Sequence, residues 1–349
     1  MDHRKAKPDL YDVPWSTDAF HDMPYRRLGG SGLQVSAVGL GTWKIGYPET
    51  GDGSRVGEAT ALQILDRALE LGVTFWDTAN RYNAASGNSE RVIGTWMQEN
   101  PDQRRNIVLA TKLFGGMDGT TPNHSGLSRT NIMESLYASL ERLCVDYVDL
   151  LYFHSFDPVT PVEESLAAVE DLMRQDLVRY FGMSNYTVDQ VSLYQSAAPL
   201  RCRPVAVQNQ FDLLNGESEE HQGVLDQAAR AGFSFVAWSP LGRGLLTERY
   251  LDEEEVGPGD RLVDEGSWAN LAEDEELMDR VRRLAELAHV WDLELNQLAL
   301  AYMLTLPGMG PVIPAVSKVE HLESNAAAGR VTLAADQQLQ VKKVLSGEA

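Results

Sequence analysis

The chain has 349 residues, 43% of them hydrophobic and 8% aromatic, which is typical of a globular protein and too apolar for general disorder. A formal net charge of −21 disfavours nucleic acid and anionic membranes as partners. Only Cys144 and Cys202 occur as cysteines and the seven histidines are scattered, so we expect neither a disulfide nor a metal site. The chain lacks an apolar leader and any run of about 18 apolar residues, which predicts a cytoplasmic protein.

Residues 1–24 mix charges, aromatics and prolines without periodicity, and we expect an irregular N-terminal extension before a single domain over residues 25–349. Strand and helix patterns then alternate. Eight short apolar runs are predicted strands, at residues 37–40, 73–76, 107–110, 148–153, 178–182, 205–207, 233–238 and 312–313. Apolar residues at helical spacing predict helices around residues 62–69, 92–96, 132–143, 162–172, 187–197, 219–230, 275–289, 295–306 and 319–328.

This alternation implies parallel strands with right-handed crossovers, and eight such units are the number that closes a (β/α)8 TIM barrel. An open doubly wound sheet is the alternative. Against it, Gly39 and Gly41 of the first strand lack the GxGxxG spacing of a dinucleotide-binding turn. Two long loops, residues 117–128 and 247–270, follow the third and seventh strands. In a barrel both stand over the C-terminal face, so we interpret them as candidate lids.

Four ionisable side chains follow successive strands: Asp77 and Tyr82 after the second, Lys112 in the third and His154 after the fourth. A free tyrosine has a pKa of about 10, which a neighbouring ammonium group lowers, so Lys112 is expected to activate Tyr82. Asp77 would hold Lys112 charged, and a neutral His154 would orient a substrate oxygen. Each residue alone has an ordinary structural explanation as a helix cap, surface charge, packed aromatic or core histidine. Their joint occurrence on adjacent strand ends favours an active site.

Further motifs follow in order along the chain. They are GLGTW at 39–43, DTANRY at 77–82, ATK at 110–112, YFH at 152–154, GMSN at 182–185, QNQF at 208–211, WSPLGRG at 238–244 and IPAVSK at 313–318. Together they resemble the aldo-keto reductase superfamily, from Tyr25 to about Ala328. YRRLG at 25–29 and GLQVS at 32–36 resemble the branch with bacterial general reductases and potassium-channel β subunits, in which an N-terminal hairpin closes the barrel bottom. The four ionisable residues above match that family's catalytic tetrad.

The resemblance implies NADP(H), lying extended across the barrel mouth, as the cofactor. Residues matching Ser184, Asn185 and Gln208 hold the carboxamide in that family, and an aromatic matching Phe211 stacks on the nicotinamide. The pyrophosphate meets Ser239, Leu241 and Arg243, and the 2′-phosphate meets Ser317, Lys318 and His321. The remaining candidate cofactor-binding residues are Gly41, Thr42, Trp43, Asp77, Trp238, Pro240, Gly242, Ile313, Pro314, Ala315 and Asn325.

Three positions depart from the family pattern. Asn83 stands where glycine commonly follows the tyrosine, Ser324 replaces a glutamate that contacts adenine, and His321 replaces arginine or glutamine. Lys318 is then the main positive charge for a 2′-phosphate, and NADP is favoured over NAD.

The sequence therefore predicts an NAD(P)H-dependent enzyme that reduces aldehydes or ketones, or oxidises the corresponding alcohols or sugars, with Tyr82 as general acid and base. Two alternatives stay open. One is a cofactor-binding regulatory subunit with little turnover. The other is a barrel lyase or aldolase in which Lys112 forms a Schiff base. Neither the physiological substrate nor the oligomeric state is readable from the sequence.

Overall fold

The structure, a computed structural model, describes residues 17–117, 119–252 and 256–348. Its strands are β1 (Ala19–Phe20), β2 (Met23–Arg27), β3 (Gln34–Ser36), β4 (Leu40–Gly41), β5 (Phe75–Asp77), β6 (Val108–Leu113), β7 (Val148–Phe153), β8 (Val178–Ser184), β9 (Ala206–Asp212), β10 (Gly216–Glu217), β11 (Ser234–Trp238) and β12 (Met309–Ile313). Its helices are α1 (Glu58–Glu70), α2 (Asn88–Glu99), α3 (Arg129–Leu143), α4 (Val162–Arg174), α5 (Val188–Ala197), α6 (Val224–Ala231), α7 (Arg261–Asp264), α8 (Trp268–Ala272), α9 (Glu275–Val290), α10 (Leu295–Met303), α11 (Val319–Ala328) and α12 (Ala335–Ser346).

Eight parallel strands form the barrel, in the order β4-β5-β6-β7-β8-β9-β11-β12. The first and last strands meet through parallel bridges that join Val38 to Val312 and Gly41 to Ala315. The predicted (β/α)8 barrel is confirmed, and each predicted strand overlaps an observed one. The eighth observed strand, β12, is longer than the predicted one. It includes Gly310 and Pro311, which are poor strand formers, so the sequence pattern does not indicate a strand there.

The N-terminal segment is more regular than expected. We predicted an irregular chain through Pro24, but β1 and β2 pair from Ala19 onward and β3 completes a three-stranded antiparallel sheet. The turn between β1 and β2 uses His21 and Asp22 with positive φ, so no glycine marks it in the sequence. Arg26 on β2 donates hydrogen bonds to the carbonyls of Met309 and Gly310, which begin β12, and of Leu304 after α10, which places this sheet at the N-terminal end of the barrel.

The barrel interior is filled at that end. Val35 on β3 and Leu28, directly after β2, cluster with Phe75, Leu150 and Ile313 from the barrel strands. A larger apolar cluster lies between the strands and the surrounding helices. Since the bottom is packed shut, the polar residues at the carboxyl ends of the strands line the open end. Among the described helices, none is long and apolar enough to cross a membrane.

Candidate active site

The four ionisable residues lie where the alternation of strands and helices predicted them. Asp77 is the last residue of β5, Lys112 the fifth of six residues in β6, and His154 directly follows β7. Tyr82 begins a tight turn at the carboxyl end of β5. Parallel pairing of β5 with β6 and of β6 with β7 brings these ends to one rim of the barrel.

Lys112 connects three of the surrounding groups. Its Nζ donates hydrogen bonds to Asp77 Oδ1, to the Tyr82 hydroxyl at 2.7 Å and to the backbone carbonyl of Thr78 at 3.0 Å. The side chain is 1% exposed, so the ammonium group depends on these partners in place of water. The Tyr82 hydroxyl also lies 3.4 Å from Asp77 Oδ1. All three ammonium hydrogens are thus committed within the cluster.

Burial determines the ionisation of Tyr82. Desolvation and the Asp77 carboxylate raise the pKa of the phenol well above its usual value of 10. We expected Lys112 to lower this pKa, but burial of the phenolate and its repulsion by Asp77 outweigh that attraction. Burial also lowers the pKa of the Lys112 ammonium, while Asp77 acts in the opposite direction. Tyr82 is therefore a protonated phenol at neutral pH, in contact with a hydrogen-bond donor.

The His154 ring stands beside this cluster. Its centroid is 6.0 Å from that of Tyr82, and the two rings meet edge to face. Burial, reinforced by the charges of Lys112 and Arg81, lowers the pKa of His154 to about 3. The imidazole is consequently neutral at physiological pH, with one N–H donor and one acceptor nitrogen. Asn185 fixes the adjoining backbone by donating to the carbonyl of His154 at 2.9 Å.

The turn after Tyr82 explains the first departure from the family pattern. Asn83 has a φ of 53°, in the left-handed region that glycine favours and asparagine tolerates. Its side-chain amide donates to the carbonyl of Ile45 at 2.7 Å. Asparagine thus preserves the backbone conformation of the turn and connects it to the loop after β4.

An amide-lined wall joins the cluster from the other side of the barrel. Gln208 on β9 donates from Nε2 to Asp77 Oδ2 at 2.7 Å, which leaves its carbonyl oxygen available as an acceptor. Asn185 donates to Ser184 Oγ at 3.2 Å and accepts from Trp238 Nε1 at 3.1 Å. Side chains at the carboxyl ends of β8, β9 and β11 therefore line the barrel mouth next to the tetrad in two hydrogen-bonded groups.

Phe211 is less suited than Trp238 to stacking on a planar ligand. Phe211 is 8% exposed, and its ring packs edge to face against Phe235 with centroids 6.0 Å apart. Trp238 is half-buried at the end of β11, next to Asn185. Trp238 therefore presents a more open ring face than Phe211, the aromatic for which stacking was expected.

The predicted phosphate-binding residues lie on two neighbouring segments. Ser239, Gly242 and Arg243 have positive φ in a tight turn after β11, which also holds Pro240 and Leu241. Arg243 is exposed and lies 3.5 Å from Glu265. Lys318 is exposed immediately before α11, and no carboxylate within the described residues contacts it. Backbone amides at the start of α11 add to the positive character of this end.

The remaining predicted residues occupy the seam where the barrel closes. Gly41 donates from its backbone amide to the carbonyl of Pro314 at 3.1 Å, beside Ile313 and Ala315. Thr42 is buried, and its hydroxyl donates to the carbonyl of Asp77 at 2.9 Å. Trp43 is 38% exposed above the seam.

A network on α10 and α11 surrounds Asn325 and was not predicted. Asn296 donates to Asn325 Oδ1 at 2.8 Å and to Ser324 Oγ at 2.7 Å, and Ser324 in turn donates to Glu294. Glu294 thus brings a carboxylate next to Ser324, which stands where the family often has glutamate. No local motif identifies Asn296 or Glu294 as a partner of Ser324 or Asn325, because the two pairs lie on different helices and are distant in the sequence. His321 lies on the same helix as Asn325, and its Nδ1 is 3.3 Å from Ser317 Oγ.

Comparison with known proteins identifies the family of the chain. The sequence model of the Aldo/keto reductase family matches residues 37–346. The chain belongs to the aldo/keto reductase family. It is 33% identical over 311 residues to a probable voltage-gated potassium channel subunit beta of Oryza sativa subsp. japonica, which covers 88% of this chain and 91% of that protein.

Relatives of two kinds are found in this family. A putative voltage-gated potassium channel subunit beta of Schizosaccharomyces pombe is 34% identical, with 88% of each chain covered. Aldo-keto reductase str7 of Strobilurus tenacellus is 31% identical, with 92% of each chain covered. Membership of the aldo/keto reductase family supports oxidoreductase activity and the binding of a nicotinamide cofactor.

Proposed function

We propose that this aldo-keto reductase is an NADP-dependent enzyme that reduces aldehydes or ketones, with Tyr82 as the proton donor. The contact between the Lys112 ammonium group and the Tyr82 hydroxyl, in a buried cluster completed by Asp77, carries this proposal. A neutral phenol that already accepts a hydrogen bond from an ammonium group can release its own proton toward a developing alkoxide. Phenolate formed in this way is stabilised by the same ammonium group.

The donor and acceptor set fits a nicotinamide dinucleotide. The free carbonyl oxygen of Gln208, together with Ser184 and Asn185, matches the hydrogen-bonding needs of a carboxamide, and Trp238 offers a ring face. The turn at Arg243 and the amides at the start of α11 suit phosphate oxygens. When bound, the reduced dinucleotide supplies a hydride to the carbonyl carbon.

The residues of the chain supply positioning and proton transfer. Neutral His154 donates a hydrogen bond to the carbonyl oxygen and so fixes which face of the carbonyl is presented. Tyr82 then gives its proton to that oxygen as negative charge develops there. Asp77 holds Lys112 in place through the step, and alcohol oxidation is the reverse of the same sequence. A Schiff base at Lys112 is disfavoured, since the contacts with Asp77 and Tyr82 stabilise a charged amine.

The preference for NADP over NAD is assigned to Lys318, whose ammonium group has no acidic partner within the described residues. A cation that is free of carboxylates is suited to a 2′-phosphate. Ser317 and His321 lie beside it and add hydrogen-bonding groups.

The test removes the hydroxyl group of Tyr82 and keeps its aromatic ring. Tyr82→Phe should lower kcat for carbonyl reduction by about 10²- to 10⁴-fold, because general acid catalysis is lost. Affinity for NADPH, measured by fluorescence titration, should change little. Tyr137→Phe, an exposed tyrosine on α3, is the matched control and should retain full activity. Unchanged kcat in the Tyr82 variant would exclude Tyr82 as the proton donor.

A second candidate function is suggested by the rice and fission-yeast relatives, which are named as potassium channel β subunits. On that proposal the chain binds NADP(H) and a protein partner and turns over slowly. Steady-state turnover across aldehydes, ketones and aldoses distinguishes the two. Slow turnover with every carbonyl, tight retention of NADPH and co-purification of a partner would favour the regulatory subunit.

A further inference from the structure

Arg81, the residue before the proposed proton donor, places a guanidinium group at the edge of the site. Its side chain is exposed and lies along Gly115, which follows β6. A Cβ added to Gly115 would approach Arg81 Nη1 to 2.5 Å, so the glycine provides the space that the guanidinium occupies. The positive charge also reaches His154, whose pKa it helps to lower. Arg81 thus stands beside the ends of β6 and β7.

Arg81 differs from the other arginines at the barrel mouth in having no acidic partner among the residues that the structure describes. Arg55 lies 3.0 Å from Asp264, while Arg243 and Arg261 lie 3.5 Å and 2.8 Å from Glu265. Within the described ranges, 17–117, 119–252 and 256–348, no carboxylate forms an ion pair with Arg81. Acidic residues outnumber lysines and arginines by 51 to 30, so an arginine without a carboxylate at this position is unusual for the chain.

Arg81 lies away from the strands that carry the proposed carboxamide and phosphate contacts of the cofactor. The residues proposed to hold its carboxamide, nicotinamide ring and phosphates lie on β8, β9 and β11 and on the segments that follow β8, β11 and β12. Arg81 follows β5, and its side chain lies against Gly115 and close enough to His154 to influence the pKa of the imidazole. A ligand that contacts Arg81 while its carbonyl oxygen meets Tyr82 and His154 is therefore the substrate.

We propose that Arg81 binds an anionic group on the substrate, so that the enzyme prefers carbonyl compounds that carry a carboxylate or a phosphate. This inference rests on the proposed reductase function. A guanidinium group makes paired, charge-assisted hydrogen bonds to either anion. The other cation of the site, Lys112, is fully committed to Asp77, Tyr82 and Thr78 and cannot take this role.

The experiment compares substrates that differ in charge alone at a similar size. 4-Carboxybenzaldehyde is paired with its neutral methyl ester, and 4-formylphenyl phosphate tests whether phosphate serves as well as carboxylate. We expect kcat/KM to be about tenfold higher for the carboxylate than for the ester in the wild-type protein. Arg81→Gln should abolish this ratio, and Arg81→Lys should retain part of it, because lysine keeps the charge without the paired geometry.

Arg203→Gln is the matched control for net charge. Arg203 is an exposed arginine just before β9, at the closed end of the barrel, and its replacement should leave the ratio as in the wild type. A wild-type ratio at or below one, or an Arg81→Gln variant that keeps the wild-type ratio, would overturn the inference. Absence of NADPH oxidation with every carbonyl, by contrast, would overturn the proposed reductase function itself.

Discussion

The two halves of the barrel mouth are built differently. On the side of β5 to β7, Lys112 and Asp77 are 1% and 2% exposed as side chains and bond to each other. On the side of β11 and β12, Lys318 and Arg243 are exposed to solvent. The first half is preorganised before any ligand arrives, as proton transfer requires. The second half offers groups that can adapt to a large ligand.

A segment that we call the strap, residues 256–270 of the loop after β11, belongs to the adaptable half. Asp264 of the strap lies 3.0 Å from Arg55 in the loop after β4. Arg261 stands over the Trp43 ring at 4.9 Å from its centroid. The strap thus reaches from the seventh barrel strand to the loop after the first. Leu262 anchors it in the core, whereas its contacts with that loop are made by partly exposed side chains and are individually weak.

The largest effect is expected in the preorganised half. Lys112→Met should lower kcat by at least about 100-fold, because the phenol loses the cation that stabilises its conjugate base. The variant also leaves Asp77 as a buried, unpaired carboxylate, and breaking a buried pair costs about 3–5 kcal/mol of unfolding free energy. Urea denaturation measures this loss, and steady-state kinetics measure kcat.

A double variant separates these two effects. Asp77→Asn combined with Lys112→Met removes both charges, so it should recover much of the unfolding free energy but none of the turnover. If the double variant were as unstable as Lys112→Met alone, charge pairing would not explain the stability of this half. If it recovered turnover, the ammonium group would have no role in catalysis.

A smaller, ligand-specific effect is expected at Lys318. Lys318→Gln should weaken NADPH binding about tenfold and leave NADH binding nearly unchanged, because only NADPH carries the 2′-phosphate. Fluorescence titration with both nucleotides measures the difference. Lys342→Gln, an exposed lysine on α12, is the control for net charge. Equal losses for NADPH and NADH would place the 2′-phosphate elsewhere.

The sequence predicted the preorganised half better than the adaptable half. The approach of Asp77, Lys112 and His154 follows from parallel strands alone, since their carboxyl ends must share one rim. The pKa of Tyr82 could not be predicted in the same way, because its direction depends on how deeply the phenol is buried. The role of Asn296 depends on a contact between two helices that no local spacing encodes.

Outside the site, the sequence prediction missed two elements for similar reasons. The pairing of Ala19–Phe20 with β2 was missed because a two-residue strand has no periodicity and its turn uses neither glycine nor asparagine. The helix Ala335–Ser346 was missed because its polar residues leave only a narrow apolar side, with Val341 and Val344 buried. In both places, tertiary contacts determine a structure that local sequence signals only weakly.

The smallest effect is expected at the strap. Arg55→Gln removes the ion pair with Asp264. The side chains of Arg55 and Asp264 are 34% and 37% exposed, so the pair stabilises the position of the strap by at most about 1 kcal/mol. NADPH dissociation should accelerate by no more than about fivefold, and stopped-flow fluorescence measures that rate. High salt should accelerate dissociation by a larger factor in the wild type than in the variant, because salt screens the Arg55–Asp264 pair in the wild type alone and the phosphate contacts of Lys318 in both.

Arg67→Gln provides the comparison for this last variant, because Arg67 also forms exposed ion pairs, with Glu70 and Glu323 on the helical surface. It should leave the dissociation rate unchanged. Should Arg55→Gln slow dissociation, the ion pair would not retain the nucleotide. Should the variant accelerate dissociation a hundredfold, the strap would be bound more firmly than its surface contacts imply. The adaptable half would then be as preorganised as the tetrad, and the contrast between the two halves would fail.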